Sequence, residues 1–252
     1  MIEFNNVSKS FWTGTRRKVI LDRASFRITL GNSLGILAPN GTGKTTVINM
    51  MCGLEKPDEG EILINDRPLE TYSASERAKT ITYIPPKLSS FDAYITVEEF
   101  VLMGRYPHKP ALSGYAPEDR ERVAALLKET GLPAKHAVTA LSSGQQQLLL
   151  IAQALIQESS IILFDEPTAN LDPKHAHDFY RALKKLPQAT QKIVITHDLH
   201  FAKALGCPLL FLHEGGVRLY KEPEEFFTPE NLEACYGVAF RPDTQSPEVA
   251  YD

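Results

Sequence analysis

The stretch APNGTGKT at residues 38–45 decides how the rest of this sequence is read. It follows a short apolar run, Ser33–Leu37, and precedes a segment with a helical pattern, Lys44–Cys52. Glycines at a strand-to-helix turn let the backbone wrap a polyphosphate, because the loop N–H groups and the helix N-terminus are both attractive to anions. We therefore predict a phosphate-binding loop between a strand and a helix.

Two side chains of this loop have distinct predicted roles. Lys44 can reach the β- and γ-phosphates, and the Thr45 hydroxyl can hold Mg²⁺. The usual pattern, G-x-x-x-x-G-K-[ST], begins with glycine, whereas this stretch begins with Ala38. If the φ of residue 38 is negative, alanine causes little backbone strain there. We therefore interpret the loop as functional. A chance glycine-rich turn is the alternative.

A second motif is the acidic end of an apolar strand. Ile161–Phe164 is followed by Asp165 and Glu166. A buried parallel strand delivers its C-terminal residues to the same sheet edge as the phosphate loop. Asp165 is then placed to bind Mg²⁺, directly or through water, and Glu166 to polarise the attacking water as general base. The alternative is a strand followed by an ordinary acidic turn. The presence of a phosphate loop in the same chain favours the functional interpretation.

The rest of the chain alternates strands and helices, which is typical of an α/β domain. Strands are predicted at residues 2–7, 19–28 (after a turn at 13–18), 61–64, 81–84, 193–196, 209–213 and 217–220. Helices are predicted at residues 96–104, 117–130 and 145–157, and a short helical tail is predicted after residue 220. The prediction is one domain, 1–238, with a core at 1–86 and 160–238, a helical subdomain at about 87–159, and a C-terminal tail at 239–252.

Composition restricts the possible function classes. The chain has 252 residues, of which 43% are hydrophobic and 23% charged, and its net charge is −4. These values are typical of a globular protein with a hydrophobic core. They argue against a protein whose main function is to bind nucleic acid. Three widely spaced cysteines suit a reducing cytosol. Residues 137–157 are uncharged, but their five glutamines argue against a membrane span.

Further motifs resemble those of ATP-binding cassette (ABC) ATPases. The segment LSSGQ at residues 141–145 resembles the family signature, usually L-S-G-G-Q, and Gln145 lies 20 residues before Asp165. Asn170-Leu171-Asp172 resembles the D-loop, and His197 resembles the switch histidine. The resemblance extends from the N-terminus to about residue 238. It implies a P-loop NTPase (RecA-like) α/β core with an antiparallel β-subdomain and an inserted α-helical subdomain.

The resemblance implies hydrolysis of ATP to ADP and phosphate, coupled to transport. In the family the signature faces the γ-phosphate of the opposite subunit, so that two chains sandwich two ATP molecules head to tail. His197 would then touch the γ-phosphate and sense hydrolysis. An aromatic side chain before the second strand stacks on adenine; Phe11 fits this position best and Trp12 is the rival. An apolar anchor for the strand edge is the alternative.

The site residues implied by the resemblance fall into three groups. Those with catalytic roles are Lys44, Glu166 and His197. Those that hold Mg²⁺ are Thr45 and Asp165. Those that bind the nucleotide are Phe11, Pro39, Asn40, Gly41, Thr42, Gly43, Lys44, Thr45, Thr46, Ser142, Ser143, Gly144, Gln145 and Asp172.

The sequence departs from the family pattern at several positions. Pro86 stands where the family has a glutamine that helps to hold Mg²⁺ and relays nucleotide state to the membrane partner. Proline has no side-chain amide and stiffens the loop, and no other glutamine is expected nearby to replace it. Ser143 replaces a signature glycine, and Leu148 and Gln153 stand where arginine is frequent. Because Lys44 and the acidic pair are kept, hydrolysis is still expected.

Two branches of the family compete. Leu102–His108 and the C-terminal segment 223–238 are similar to importers of iron-siderophores, haem and cobalamin. In that branch the segment from Phe91 to His108 would face a cytoplasmic helix of the membrane subunit, although an ordinary amphipathic helix is the alternative. The insert at 13–18 and Ser142-Ser143-Gly144 resemble polysaccharide exporter ATPases. The later motifs at 165–168 and 195–198 fit that second branch poorly.

The resemblance also implies partners and a location. The partners are a second ATPase subunit in a homodimer, integral membrane permease subunits, and a periplasmic or extracellular binding protein, with no nucleic acid. The location is peripheral, on the cytoplasmic face of the cell membrane. Soluble ABC proteins that act on nucleic acid or ribosomes usually carry two cassettes or a long coiled-coil insertion. A nucleotide switch with weak turnover is a further alternative function, which Pro86 and Ser143 suggest. The sequence does not identify the transported solute, because other subunits determine it.

Overall fold

The computed structural model describes residues 1–29, 33–39, 41–88, 95–110, 112–169 and 171–237. The strands there are β1 (Ile2–Thr13), β2 (Arg16–Ile28), β3 (Leu34–Leu37), β4 (Glu59–Ile64), β5 (Arg67–Pro68), β6 (Ile81–Ile84), β7 (Ile161–Asp165), β8 (Gln191–Thr196), β9 (Leu209–His213) and β10 (Gly216–Tyr220). The helices are α1 (Lys44–Met51), α2 (Ala74–Thr80), α3 (Val97–Leu102), α4 (Pro117–Thr130), α5 (Ser143–Gln157), α6 (Pro173–Lys185), α7 (Leu199–Leu205), α8 (Pro223–Phe226) and α9 (Pro229–Tyr236). Short 3₁₀ helices cover Leu69–Thr71, Met103–His108 and Val138–Ala140.

The chain forms two compact units. Among the described residues, the first unit contains those within 1–72 and 191–237. It has an antiparallel sheet of order β2-β1-β4-β5. In its second sheet, β3 pairs in parallel with both β8 and β9, and β9 pairs antiparallel with β10. The second unit, Ser73–Thr190, contains the parallel pair β6 and β7 together with α2 to α6.

Burial explains why these segments are strands and helices. Every residue of β3 and of β7 is buried, as expected for parallel strands covered on both faces. The uncharged stretch 137–157 forms a 3₁₀ turn and then α5, whose apolar side chains, among them Leu149 and Leu150, are buried. In the described ranges no helix is both long and apolar enough to span a bilayer.

The predicted fold class is confirmed, since an antiparallel sheet, a parallel α/β core and a helical segment are all present. The predicted bounds at 81–84, 117–130 and 209–213 agree with the structure. The subdomain boundaries at 87–159 stay a prediction. Asn40, Phe91, Asn170 and the tail at 239–252 lie outside the described residues.

The predicted turn at residues 13–18 is wrong. Thr13 pairs with Arg16 across a hairpin, so only Gly14 and Thr15 form the turn. Gly14 has a φ of 62°, which a tight turn requires and which glycine tolerates. The polar residues 16–18 looked like loop but continue β2, because a hairpin that extends beyond the core keeps its ladder hydrogen bonds without burying side chains.

Three helices, α2, α6 and α7, were not predicted. In α6 the Asp172 side chain caps the first turn, and Pro173 occupies the first helical position, where it is favoured. Its buried residues recur at helical spacing: Ala176, Phe179, Tyr180 and Leu183. In α2, Ser73 and Glu76 form a capping box, but no residue of the helix is buried. The N-termini of α2 and α6 therefore both have a capping signal in the sequence. However, α2 lacks the apolar periodicity that would have supported a helix prediction.

Candidate functional site

The predicted phosphate loop joins β3 to α1 in the first unit. Gly41 and Gly43 have φ values of 81° and 108°, a region that favours glycine. A Cβ at Gly43 would lie 2.4 Å from Cγ2 of Ile20, so β2 leaves room only for glycine. The Thr42 hydroxyl donates to the carbonyl of Pro39 at 2.8 Å and closes the turn. The loop therefore has the backbone that its glycines predict.

The lysine of the loop lies at the first residue of α1. Lys44 Nζ donates to the carbonyl oxygen of Ala38 at 3.2 Å, so its ammonium is directed back over the loop. Ala38 is buried and does not adopt a positive φ, so the condition for alanine at this position is met. Thr45 is exposed and Thr46 is half-buried. No side chain caps α1 at Gly43, which leaves the helix N-terminus available to an anion.

His197 follows the strand next to the phosphate loop. β3 and β8 are parallel, and Leu37 is the register partner of Thr196. The phosphate loop therefore follows the carboxyl end of β3, and His197 follows the carboxyl end of the adjacent strand β8. His197 is exposed at this position. Asp198 caps α7 by accepting the N–H of His200 at 2.9 Å. Of His197 and His200, only His197 stands directly at the end of β8.

The two candidate aromatic residues lie at the end of the β1–β2 hairpin. Phe11 is 38% exposed and Trp12 is 71% exposed. Phe11 is paired with Lys18, and Trp12 is paired with Arg17. Cross-strand partners share a face of the sheet, so the two rings lie on opposite faces. Lys9 Nζ lies 5.1 Å from the centroid of the Phe11 ring.

A polar network that sequence reasoning missed holds the base of this hairpin. Lys9 is buried, and its ammonium contacts the carbonyl of Lys56 at 2.7 Å, Glu55 at 2.6 Å and Asp58 at 3.2 Å. Asp58 also accepts the backbone N–H of Ser10 at 2.8 Å. Although desolvation acts in the opposite direction, the bonds from Ser10 and Lys9 lower the pKa of the Asp58 carboxyl. The strand is thereby fixed just before the aromatic residues.

The predicted acidic pair lies at the end of β7 in the second unit. Asp165 is 8% exposed, and its Oδ2 accepts the phenolic hydroxyl of Tyr83 at 3.0 Å. Glu166 is half-buried and has a φ of 47°. A non-glycine residue with positive φ is uncommon, and such strain is concentrated at functional sites. Sequence reasoning found both carboxylates but missed Tyr83, whose position on β6 gave no local signal.

The signature residues form the first turn of α5. Ser142 Oγ accepts the N–H of Gln145 at 3.3 Å, and the Gln145 side chain accepts the N–H of Ser142 at 3.0 Å, which is a capping box. The helix therefore begins at Ser143, two residues before the predicted start. Ser142 and Ser143 are exposed, whereas Gly144 is buried. The N–H groups of Ser143 and Gly144 are not part of the box.

A histidine that was not predicted lies between the predicted signature turn and Asp172, the predicted D-loop residue. The Nδ1 atom of His175 lies 2.8 Å from Asp172 Oδ2, and the backbone N–H of His175 donates to Asp172 Oδ1 at 2.9 Å. These bonds, the backbone one first, lower the pKa of Asp172. A Cβ added to Gly144 would lie 2.1 Å from Cδ2 of the same imidazole. The ring of His175 thus occupies the space that a side chain at 144 would need.

Replacing Gly144 with Ala is expected to destabilise the fold by about 1 to 3 kcal/mol, because the new methyl group would clash with the imidazole of His175, which Asp172 holds in place. The measurement is urea unfolding of four proteins: the parent, Gly144→Ala, His175→Ala and the double variant. In the His175→Ala background the same change should cost less than about 0.5 kcal/mol, since the ring is gone. Equal costs in both backgrounds would contradict the contact.

Pro86 has an unexpected neighbour. The side-chain amide of Gln147 donates to the carbonyl oxygen of Pro86 at 3.1 Å. Gln147 is 5% exposed, and in the described residues its Oε1 atom has no hydrogen-bond partner. The expectation that no glutamine lies near Pro86 is wrong, because α5 carries Gln147 to the end of β6.

The segment Met103–His108 is held firmly on the second unit. Arg105 is buried, and its guanidinium bonds to Asp119 at 2.7 Å and to Glu158 at 2.9 Å. A Cβ at Gly104 would lie 2.6 Å from the backbone oxygen of Gln153, so α5 approaches this glycine closely. Its outer side chains stay accessible, with Met103 45% and Tyr106 67% exposed.

Comparison with known sequences identifies similar proteins across most of the chain. Residues 21–169 match the sequence family described as ABC transporter. A hemin import ATP-binding protein of Pseudomonas putida is 34% identical over 229 residues, which cover 87% of each chain. A ferric enterobactin transport ATP-binding protein of Escherichia coli is 32% identical over 229 residues, covering 89% of this chain and 84% of that protein.

Solved structures show the same fold. The chain is 28% identical to a metal-chelate type ABC transporter in an inward-facing conformation, with a TM-score of 0.80 over 94% of this chain and 89% of that one. It is 31% identical to a dimeric ATP-binding cassette in a post-hydrolysis state with ADP and Pi bound, with a TM-score of 0.75 over 88% of this chain and 98% of that one.

Proposed function

This chain belongs to the ABC transporter family as an ATP-hydrolysing subunit, and on that premise we propose that it powers the import of an iron chelate such as haem or a ferric siderophore. The support for the solute class is similarity to two import subunits of that kind over 87% and 89% of the chain. A metal-chelate type transporter with a TM-score of 0.80 adds to that support. Cobalamin and other metal chelates belong to the same proposal.

The phosphate loop supplies one half of the proposed chemistry. Lys44 binds the β- and γ-phosphates together with the backbone N–H groups of residues 41–46. The exposed hydroxyl of Thr45 and the carboxylate of Asp165 are oxygen donors of the type that Mg²⁺ prefers. When Mg²⁺ is bound with ATP, it neutralises charge on the transferring phosphate. Phe11 stacks on the adenine ring.

The carboxylate after β7 supplies the other half. Glu166 accepts a proton from water as the water oxygen attacks the γ-phosphorus in line, and the bond to the β,γ-bridging oxygen breaks to give ADP and phosphate. The hydroxyl of Tyr83 fixes one oxygen of Asp165, and so orients that carboxylate. His197 contacts the γ-phosphate and distinguishes ATP from ADP.

A second copy of the chain completes each site in this proposal. The turn at Ser142–Gln145 binds the γ-phosphate held by the partner, with the D-loop residue Asp172 beside it. The dimeric cassette that this chain resembles, with ADP and Pi bound, supports such a dimer. The contact between His175 and both Gly144 and Asp172 would keep the two dimer-facing segments in a fixed relation.

The proposed permease contact is the docking segment Met103–His108. Its exposed Tyr106 and Met103 border a cavity of about 370 Å³ whose floor includes Gln153 and Gln157 of α5. An apolar surface held by a buried arginine, Arg105, is suited to receive a helix from a membrane subunit. The chain would then lie on the cytoplasmic face of the membrane, with a binding protein delivering the solute from the opposite side.

The function is tested by expressing the chain with the membrane subunits encoded beside its gene. We expect co-purification, ATPase activity stimulated by the membrane subunits, and ATP-driven uptake of an iron chelate by proteoliposomes. Tyr106→Glu should abolish co-purification, because a buried carboxylate at an apolar contact is costly, while the ATPase rate of the isolated subunit stays within about twofold of the parent.

The matched control is Leu54→Glu, which places the same charge at another strongly exposed apolar residue, 68% exposed. It should leave the complex intact. Equal loss of the complex in both variants would remove the docking segment from the proposal. Efflux rather than uptake would favour the exporter branch, which the hairpin at residues 13–18 resembles.

A further inference from the structure

A large cavity lies beside the phosphate loop within the first unit. Its volume is about 920 Å³, which lies within the range of small-molecule sites, roughly 300–1,000 Å³. One wall is the phosphate loop, at Gly41 and Thr42, and a second is the start of β2. The third is the turn between β9 and β10, at Glu214 and Gly215. The hairpin insert, which the proposed function leaves unexplained, therefore borders the nucleotide site.

The wall formed by β2 is strongly basic. Arg16, Arg17 and Lys18 are consecutive and all line the cavity, while Asp22 and Glu214 are its acidic residues. Arg17 is engaged elsewhere, since its Nε donates to the hydroxyl of Ser10 at 3.1 Å. Lys18 is exposed, and its ammonium forms no hydrogen bond or ion pair with any residue the structure describes.

Lys18 approaches the phosphate loop closely. A Cβ built on Gly41 would lie 3.9 Å from its Nζ atom. Lys18 is also the register partner of Phe11, so the ammonium and the candidate adenine-stacking ring lie on one face of the hairpin. A cation, an aromatic ring and the loop N–H groups thus border the same space. That combination matches a ligand with a base at one end and phosphates at the other.

We propose that Lys18 is a second phosphate-binding lysine, which contacts the phosphate chain of ATP from the hairpin side while Lys44 contacts it from α1. The inference rests on the proposed nucleotide site at residues 38–45. An exposed ammonium loses little hydration when it meets a phosphate at the cavity wall. The charge-assisted bond is therefore a net gain in affinity without any rearrangement of the hairpin.

The test measures ATP and ADP affinity by calorimetry for the full chain and three variants. Lys18→Ala should weaken binding of both nucleotides by about tenfold at low salt, because one charge-assisted contact is lost. Lys18→Arg should stay within about threefold of the parent, since the cation is kept. Arg16→Ala is the matched control: it removes the same charge from the same wall, and should weaken binding by less than about threefold. The effect of Lys18→Ala should shrink as salt is raised.

The affinities of these variants decide whether Lys18 binds the phosphate chain. Parent-like affinity of Lys18→Ala, or equal losses in Lys18→Ala and Arg16→Ala, would overturn the role of Lys18 and leave the proposed function standing. A parent protein that bound no ATP would overturn the nucleotide site itself and this inference with it. Because Lys18 is exposed, its removal is not expected to change folding, and parent-like thermal melting checks that point.

Discussion

Glu166→Gln should lower the rate of ATP hydrolysis by about a hundredfold or more, because the amide cannot accept a proton from the attacking water. Glutamine has the same shape and can adopt the backbone conformation of Glu166, whose φ is 47°. The change therefore removes a base without removing the side chain. Phosphate release by the purified subunit measures the rate. ATP affinity should fall by less than about threefold, since Glu166 is assigned no contact with the phosphates in the ground state.

The matched control for this variant is Glu158→Gln. Glu158 is the other glutamate with a positive φ, 54°, among the described residues, and it forms ion pairs with Arg105 and Arg122. Its replacement should change hydrolysis by less than about twofold. If the parent hydrolysed ATP no faster than Glu166→Gln, the chain would be a slow nucleotide switch, and Pro86 and Ser143 would then be read as the cause.

Lys44→Ala should weaken ATP binding by about ten- to a hundredfold, the cost of losing a charge-assisted contact to phosphate. Hydrolysis should fall further still, because charge on the phosphate oxygens shifts during transfer and the ammonium stabilises it. The Lys44 ammonium already lies at the loop, 3.2 Å from the carbonyl of Ala38, so no large movement is needed for it to act. Calorimetric titration with ATP measures the loss.

The control for Lys44→Ala is Lys221→Ala, at an exposed lysine after β10. This control should bind ATP with parent-like affinity. Alanine favours a helix, so the first turn of α1 should still form in Lys44→Ala, which circular dichroism can verify. Binding within about twofold of the parent would contradict the assignment. A loss at Lys44 larger than the one at Lys18 is expected, because Lys44 belongs to the loop itself.

Local pattern was sufficient for much of the fold. The apolar runs 161–164 and 34–37 are strands because every residue in them is buried, and the glycines at 41 and 43 adopt the positive φ that only such residues tolerate easily. The acidic pair at the end of β7 was predicted from the apolar run before it, and His197 after β8 from its resemblance to the switch histidine. The helix α6 was missed even though its cap, its Pro173 and its apolar periodicity were all legible.

Other features of the site had no local signal. Tyr83 and Asp165 are 82 positions apart, and Gln147 and Pro86 are 61 apart, yet each pair forms a hydrogen bond. These contacts arise because β6 lies in register beside β7 and α5 crosses the end of β6. Local sequence patterns span only a few residues and so never include both partners of such a bond. Neither hydrogen bond could therefore be predicted from periodicity or spacing.

The sequence by itself indicated the family, the ATPase activity and a set of candidate residues, because phosphate loops, caps and buried strands are encoded within a few consecutive positions. Only the tertiary structure decided what surrounds those residues. It placed Lys18 at the phosphate loop, His175 against Gly144 and Tyr83 on Asp165. The physical reason is that side-chain contacts depend on strand register and helix docking, which are settled by burial of the whole core rather than by neighbours along the chain.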